Sequence, residues 1–139
     1  RFLLFSGLLL GTANVAHADE AEAEACVRQK VWDGYNGGWS IRTLTATTLK
    51  SGATQNYLVT FYKGNEYQVQ TCSDDGTRNV DVLLYDLAGN IVVRDDSTSG
   101  EPMITFKPEQ TGTYYVVAYA RELAPGAEKA AVAVAVTYR

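Results

Sequence analysis

Histidine is all but missing from this chain: His17 is the only one among 139 residues. Everything after it therefore lacks the means to build a Ser-His-Asp or Cys-His arrangement, or a histidine-based zinc site. Basic clusters are missing as well. The 12 Lys and Arg are outweighed by 16 Asp and Glu, for a formal net charge of −4, which argues against nucleic acid or an anionic membrane surface as partner. No apolar run after the first residues reaches the length of a membrane-spanning helix. Gly34-Tyr-Asn-Gly-Gly38 is glycine-rich but has neither of the spacings that cradle phosphate. Internal repeats and low-complexity linkers are absent too.

What is present begins with a leader. Phe2 to Leu10 (FLLFSGLLL) is apolar but short for a bilayer, and Arg1 supplies a positive flank. Ala16-His17-Ala18 has the small-x-small pattern of a signal-peptidase site. Residues 1–18 are therefore expected to be a signal peptide cleaved after Ala18, with a retained membrane anchor as the alternative. Cleavage would send the chain to the periplasm or outside the cell, with no membrane insertion afterwards. The remainder suffices for one domain with a real core and is too short for two ordinary ones. In an exported chain the two cysteines, Cys26 and Cys72, read as one disulfide rather than two free thiols. The chain-entropy argument gives about 4 kcal/mol for closing such a loop. Two cysteines without a histidine also leave a zinc ligand set incomplete.

Residues 19–38 form the next unit. Asp19 to Asp33 (DEAEAEACVRQKVWD) has an acidic start and valines four apart, Val27 and Val31, which predicts a short helix. Cys26 would staple it to whatever carries Cys72, and the glycines at 34–38 end it. From 39 to 139 the pattern changes to strand-sized runs separated by turn residues. Ser40–Lys50 is rich in threonine, Asn56–Tyr62 in aromatic and β-branched residues, and Glu66–Cys72 returns from a Lys63-Gly64-Asn65 hairpin signal. Val80–Tyr85 turns at Asp86–Asn90 into a strand ending near Arg94, and Met103–Lys107 follows. The run from Thr113 (TYYVVAYA) is apolar on both parities, which places it centrally in a sheet. Ala130–Tyr138 alternates Val with Ala; Val132, Val134 and Val136 face the core, and the alanines imply close approach of another element, such as the N-terminal helix. The expected fold is all-β: an antiparallel β-sandwich, jelly-roll-like with about eight strands, plus a short N-terminal helix.

Three segments, in order, resemble the bacterial pre-peptidase C-terminal domain family. They are Lys63-Gly64-Asn65-Glu66-Tyr67-Gln68-Val69, the run from Asn79-Val80-Asp81-Val82 to Asp86-Leu87-Ala88-Gly89, and Thr111-Gly112-Thr113-Tyr114-Tyr115-Val116. The likeness covers roughly Leu49 to Tyr138, and Asn79 stands where the family pattern has its first Asp. It implies a β-sandwich accessory module of the kind appended to secreted proteases and other exported enzymes, with roles in attachment or in assisting the enzyme.

The acidic loop before Val80 is the place to look for a metal. Asp74, Asp75, Asn79 and Asp81 lie within eight positions, and a hard cation such as calcium needs several oxygens from a short segment. Period two puts Asn79 and Asp81 on one strand face. A solvated acidic turn is the plainer reading. Asp86, Asp95 and Asp96 read as turn formers. Tyr114 reads as a tyrosine corner, its hydroxyl bonded to upstream backbone. Tyr35 and Trp39 are candidates for an exposed sugar- or peptide-binding platform, with packing of Trp39 over a sandwich end as the alternative. The chain is thus expected to be a non-enzymatic exported module binding an unidentified protein, a polysaccharide or the cell-envelope surface. Two alternatives stay open: a trans-acting accessory, chaperone or inhibitor, of an exported peptidase, and a small hydrolase using carboxylates alone.

Overall fold

The computed structural model describes residues 18–97 and 100–139, so the expected leader lies outside the described residues except for Ala18. One helix, α1 (Glu20–Tyr35), precedes eight strands: β1 (Ser40–Lys50), β2 (Thr54–Phe61), β3 (Tyr67–Ser73), β4 (Thr77–Asp86), β5 (Ile91–Asp95), β6 (Met103–Phe106), β7 (Gly112–Leu123) and β8 (Lys129–Tyr138). The strands form two antiparallel four-stranded sheets, β1-β8-β3-β6 and β2-β7-β4-β5. This is the strand order of a jelly roll, and it closes a sandwich around a core of alternating inward residues.

Of the four inner strands, β8 and β3 in one sheet and β7 and β4 in the other, β7 and β8 carry the longest apolar runs. β7 lies between β2 and β4, and β8 between β1 and β3, as their hydrophobicity on both parities requires. On β8 the alternation separates two cores. Ala130, Val132, Val134 and Val136 join the sandwich interior with Phe61, Val69, Leu84 and Val116. Ala131, Ala133 and Ala135 point the other way, to Ala23, Val27 and Cys72. Methyl side chains on that outer face let α1 lie close over the first sheet. Fully burying Val27 there contributes about 1.5–3 kcal/mol.

Helix α1 starts where its chemistry favours a start. The Asp19 carboxylate accepts from the Glu22 N–H at 3.0 Å, and Glu20 and Glu22 place negative charge at the positive end of the helix dipole. The Cys26–Cys72 disulfide ties its middle to β3, across 46 positions of sequence.

Turn signals located chain reversals but not strand partners. Lys63-Gly64-Asn65 does reverse the chain, yet β2 pairs with β7 while β3 pairs with β6 and β8. The connection crosses from one sheet to the other and is not a hairpin. The Asp86–Asn90 turn, by contrast, does join a paired hairpin, β4 with β5, with Gly89 at φ 85° where a side chain would be strained. The tyrosine device also sits elsewhere than expected. Tyr67, buried in the core, accepts from the Tyr62 N–H at 2.8 Å. The Tyr114 ring instead packs edge-on against Phe106 and tilted against Phe61.

Candidate functional site

The helix covers one of the two outer faces of the sandwich and leaves the other bare, and there is a concave region at each. The first runs along the seam between α1 and the edge strand β1. It has a volume of about 470 Å³, with Arg28, Trp32 and Tyr35 on the helix side and Ile41 and Leu44 on the strand side. Trp32 and Tyr35 are spaced i, i+3, so both project from one helix face. Their rings are near parallel, at 9° with centroids 6.0 Å apart, and they are 71% and 67% exposed. Together with Ile41, 49% exposed across the groove, they form an apolar patch of the kind that marks recognition surfaces. Arg28 at the rim is engaged with Glu24 one turn earlier on the helix.

Of the two aromatic residues expected here, Tyr35 is on the open groove and Trp39 is mostly not. Trp39 is only 8% exposed; the Arg139 guanidinium lies 4.5 Å from its ring centroid and also donates to the Gly37 carbonyl. Trp39 therefore packs against the sandwich end and forms the groove's inner wall. Trp32 was not singled out from the sequence, because the helix expected over Asp19–Asp33 in fact continues to Tyr35 and only then sets the two rings i, i+3.

The second region is the outer face of the β2-β7-β4-β5 sheet, which no helix covers. Cross-strand partners set its residues in rows: Thr54, Tyr119 and Asp81; Asn56, Val117, Leu83 and Arg94; Leu58, Tyr115 and Tyr85. Asp81 is nearly buried there. Its Oδ2 lies 3.5 Å from Arg121 Nε, while Oδ1 is buried with no hydrogen-bond partner. Burial pushes the Asp81 carboxyl above its ordinary range, and Arg121 only partly offsets this.

The four residues expected to hold calcium are not drawn together. Asp74 Oδ2 accepts from the Asp19 N–H at 2.8 Å and Oδ1 from the Gly76 N–H at 2.9 Å, so its carboxylate is occupied by backbone. Asp75 is exposed. The Asn79 amide donates to Glu122 at 2.9 Å, and Asp81 faces Arg121. Register shifts on either side of Asn79 break the period-two alternation on which a shared face for Asn79 and Asp81 depended. Among the described residues, the one group of three Cys or carboxylate ligand atoms that gathers is Cys26, Cys72 and Glu101, whose sulfurs are already bonded to each other. The second acidic set does form turns. Asp86 accepts from the Asn90 N–H, chiefly through which its carboxyl is held below the ordinary range, and Asp95 is lowered above all by the Ser97 side chain. Asp96 pairs with Arg94.

No family model matches the chain, and no curated protein does. Solved structures do. The periplasmic inhibitor of g-type lysozyme from Aeromonas hydrophila, PliG, is similar over 70% of this chain and 85% of its own, at TM-score 0.50 and 16% identity. The likeness is one of fold. A disulfide-linked pilus protein of Bacillus endospore appendages is more distant, covering 72% of this chain and 88% of its own at TM-score 0.35 and 15% identity. Among the described residues no helix is long and apolar enough to cross a membrane.

Proposed function

We propose that this chain is an exported, non-enzymatic module that binds a partner protein, and that the partner is an exported hydrolase, a lysozyme or a peptidase. The observation that carries this reading is the exposed, near-parallel Trp32–Tyr35 pair over the α1–β1 groove. Aromatic anchors of this kind dominate protein interfaces when they fill a partner's pocket. Two further lines support the partner class. The fold is shared with a periplasmic inhibitor of g-type lysozyme. The three segments noted above resemble the pre-peptidase C-terminal module, an accessory of secreted proteases.

The non-enzymatic part rests on the lack of any histidine after His17 and on the state of the buried aspartates, which face backbone N–H groups or an arginine. A calcium role would rest on Asp74 exchanging the Asp19 amide for a cation, with Asp75, Asn79 and Asp81 turning toward it. A melting temperature higher with calcium than with chelator would support it, and none at millimolar calcium would end it.

The test of the proposal is direct binding to purified lysozymes of different types and to secreted peptidases, with their activities followed in parallel. At least one enzyme should bind at micromolar affinity or better. Trp32→Ala with Tyr35→Ala should weaken that complex tenfold or more. Binding by neither class, or binding indifferent to the double substitution, would overturn the reading. So would turnover of glycosides or peptides by the chain itself that disappears in a folded Asp81→Ala variant.

A further inference from the structure

We propose that the bare outer face of the β2-β7-β4-β5 sheet binds a neutral oligosaccharide, with Tyr115 and Tyr119 as ring platforms and Asp81 with Arg121 as the pair that takes sugar hydroxyls. This surface is separate from the α1–β1 groove, and the inference goes beyond the protein-binding reading.

The shape comes first. Two hollows of about 330 and 320 Å³ lie side by side on this face and share Thr54, Tyr85 and Val117. Val117 is only 7% exposed although no other element lies over it, because taller side chains flank it: Tyr115 and Tyr119 on its own strand, Asn56 and Leu83 across. The result is an apolar floor between aromatic walls. Tyr115 and Tyr119, four residues apart on one strand face, are about 13 Å apart by strand rise, a length suited to several linked rings rather than one sugar.

The polar groups narrow the chemistry. Asp81 and Arg121 face each other within the second hollow, and Arg94 and Asp96 are a further ion pair at its side. Opposite charges are matched, so the face offers no net charge to an ionic ligand. The Asp81 carboxylate has acceptor capacity to spare: Oδ1 has no partner but is itself closed to solvent, so Oδ2, 3.5 Å from Arg121 Nε, is the oxygen that an incoming hydroxyl would meet first. A buried acceptor left in this state is costly. Beside it, Arg121 is part-exposed and only donates. A ligand that suits this arrangement must present adjacent groups able both to donate and to accept, together with a flat apolar face for the tyrosines. Vicinal hydroxyls on a pyranose ring have that combination. A peptide fits less well. The face is built mainly from the central strands β4 and β7, whose backbone is paired on both sides, so an extended chain would find main-chain partners only at the sheet edges.

The test is titration of the full chain with neutral β-linked hexasaccharides, of glucose and of N-acetylglucosamine, followed by calorimetry and by NMR shifts of the tyrosine rings. A dissociation constant on the order of 0.1 mM is expected for at least one of them. Tyr115→Ala and Tyr119→Ala should each weaken it about tenfold, with folding checked by thermal melting. Asp81→Asn supplies a readout that a structural role would not move: the variant should melt higher and bind the sugar at least tenfold more weakly. No binding at millimolar sugar overturns the proposal. So does binding unaffected by the tyrosine substitutions, or tyrosine-dependent binding of extended peptides without any of sugars. No partner protein enters the measurement, so its failure leaves the groove reading standing.

Discussion

The Asp19 N–H donates to Asp74 Oδ2 at 2.8 Å, joining the residue that caps α1 to the loop between β3 and β4. The same carboxylate accepts from the Gly76 N–H, so one buried side chain holds both the loop and the helix start. Asp74→Ala removes the acceptor for two backbone donors and should cost about 1–3 kcal/mol in urea unfolding. In a chain that begins at Asp19 the donor is an ammonium group, and the bond becomes an ion pair. Such a chain should then lose more stability on Asp74→Ala, and lose it in a salt-dependent way, than one retaining the residues before Asp19.

The Cys26–Cys72 bridge clamps α1 to β3, and replacing both cysteines by serine should lower stability by about 2–4 kcal/mol. Hydrogen exchange should quicken first in α1, whose buried face is narrow, with Ala23 and Val27 its buried residues. The unreduced protein should show no free thiol when unfolded; a positive thiol assay there would contradict the bridge.

Small side chains on the outer face of β8 set how near the helix lies. Ala133 is fully buried between the sheet and α1, so Ala133→Leu should cost about 1–3 kcal/mol through overpacking. The sandwich strands should keep their exchange protection while α1 loses its own.

The pH dependence follows from Asp81. Its carboxyl is held above the ordinary range, so the protonated form favours folding. That contribution is complete below the unfolded value, near pH 4, and is lost as pH rises through the folded one. Asp81→Asn keeps a neutral group at every pH. It should therefore stabilise the fold at pH 7, with the gain shrinking toward pH 3. A variant less stable than the parent at pH 7 would contradict the cost assigned to this buried charge.

The sandwich was legible because strand composition and turn residues recur at short intervals, and β1 spans Ser40–Lys50 as its threonine-rich run indicates. The Val/Ala alternation of β8 was informative on both faces, since each parity has its own packing partner. Pairing was less legible. A turn at Gly64 encodes a reversal, while the sheet that the next strand joins depends on which distant strands hold the centre. The irregular register at Asn79 was not visible at all, because a bulge adds a residue to one strand without a distinctive composition. The surfaces were less legible. Of the two exposed aromatics on the groove, Tyr35 was singled out in the sequence and Trp32 was not, and the outer face of the second sheet emerges only when Tyr85, Tyr115 and Tyr119 are brought side by side by β4 and β7.

The strand order also bears on when the molecule can fold. Each sheet has one of the last two strands of the chain in an inner position, β7 joining β2 to β4 and β8 joining β1 to β3. While Gly112–Tyr138 is still inside the ribosome or a translocation pore, β1, β2 and β3 lack central partners, and of the strands already emerged β4 pairs only with β5 and β3 only with β6. Contacts so distant in sequence form slowly and late. A chain threaded N-terminus first would thus stay pliable through most of its passage and close both layers only as its final two strands arrive.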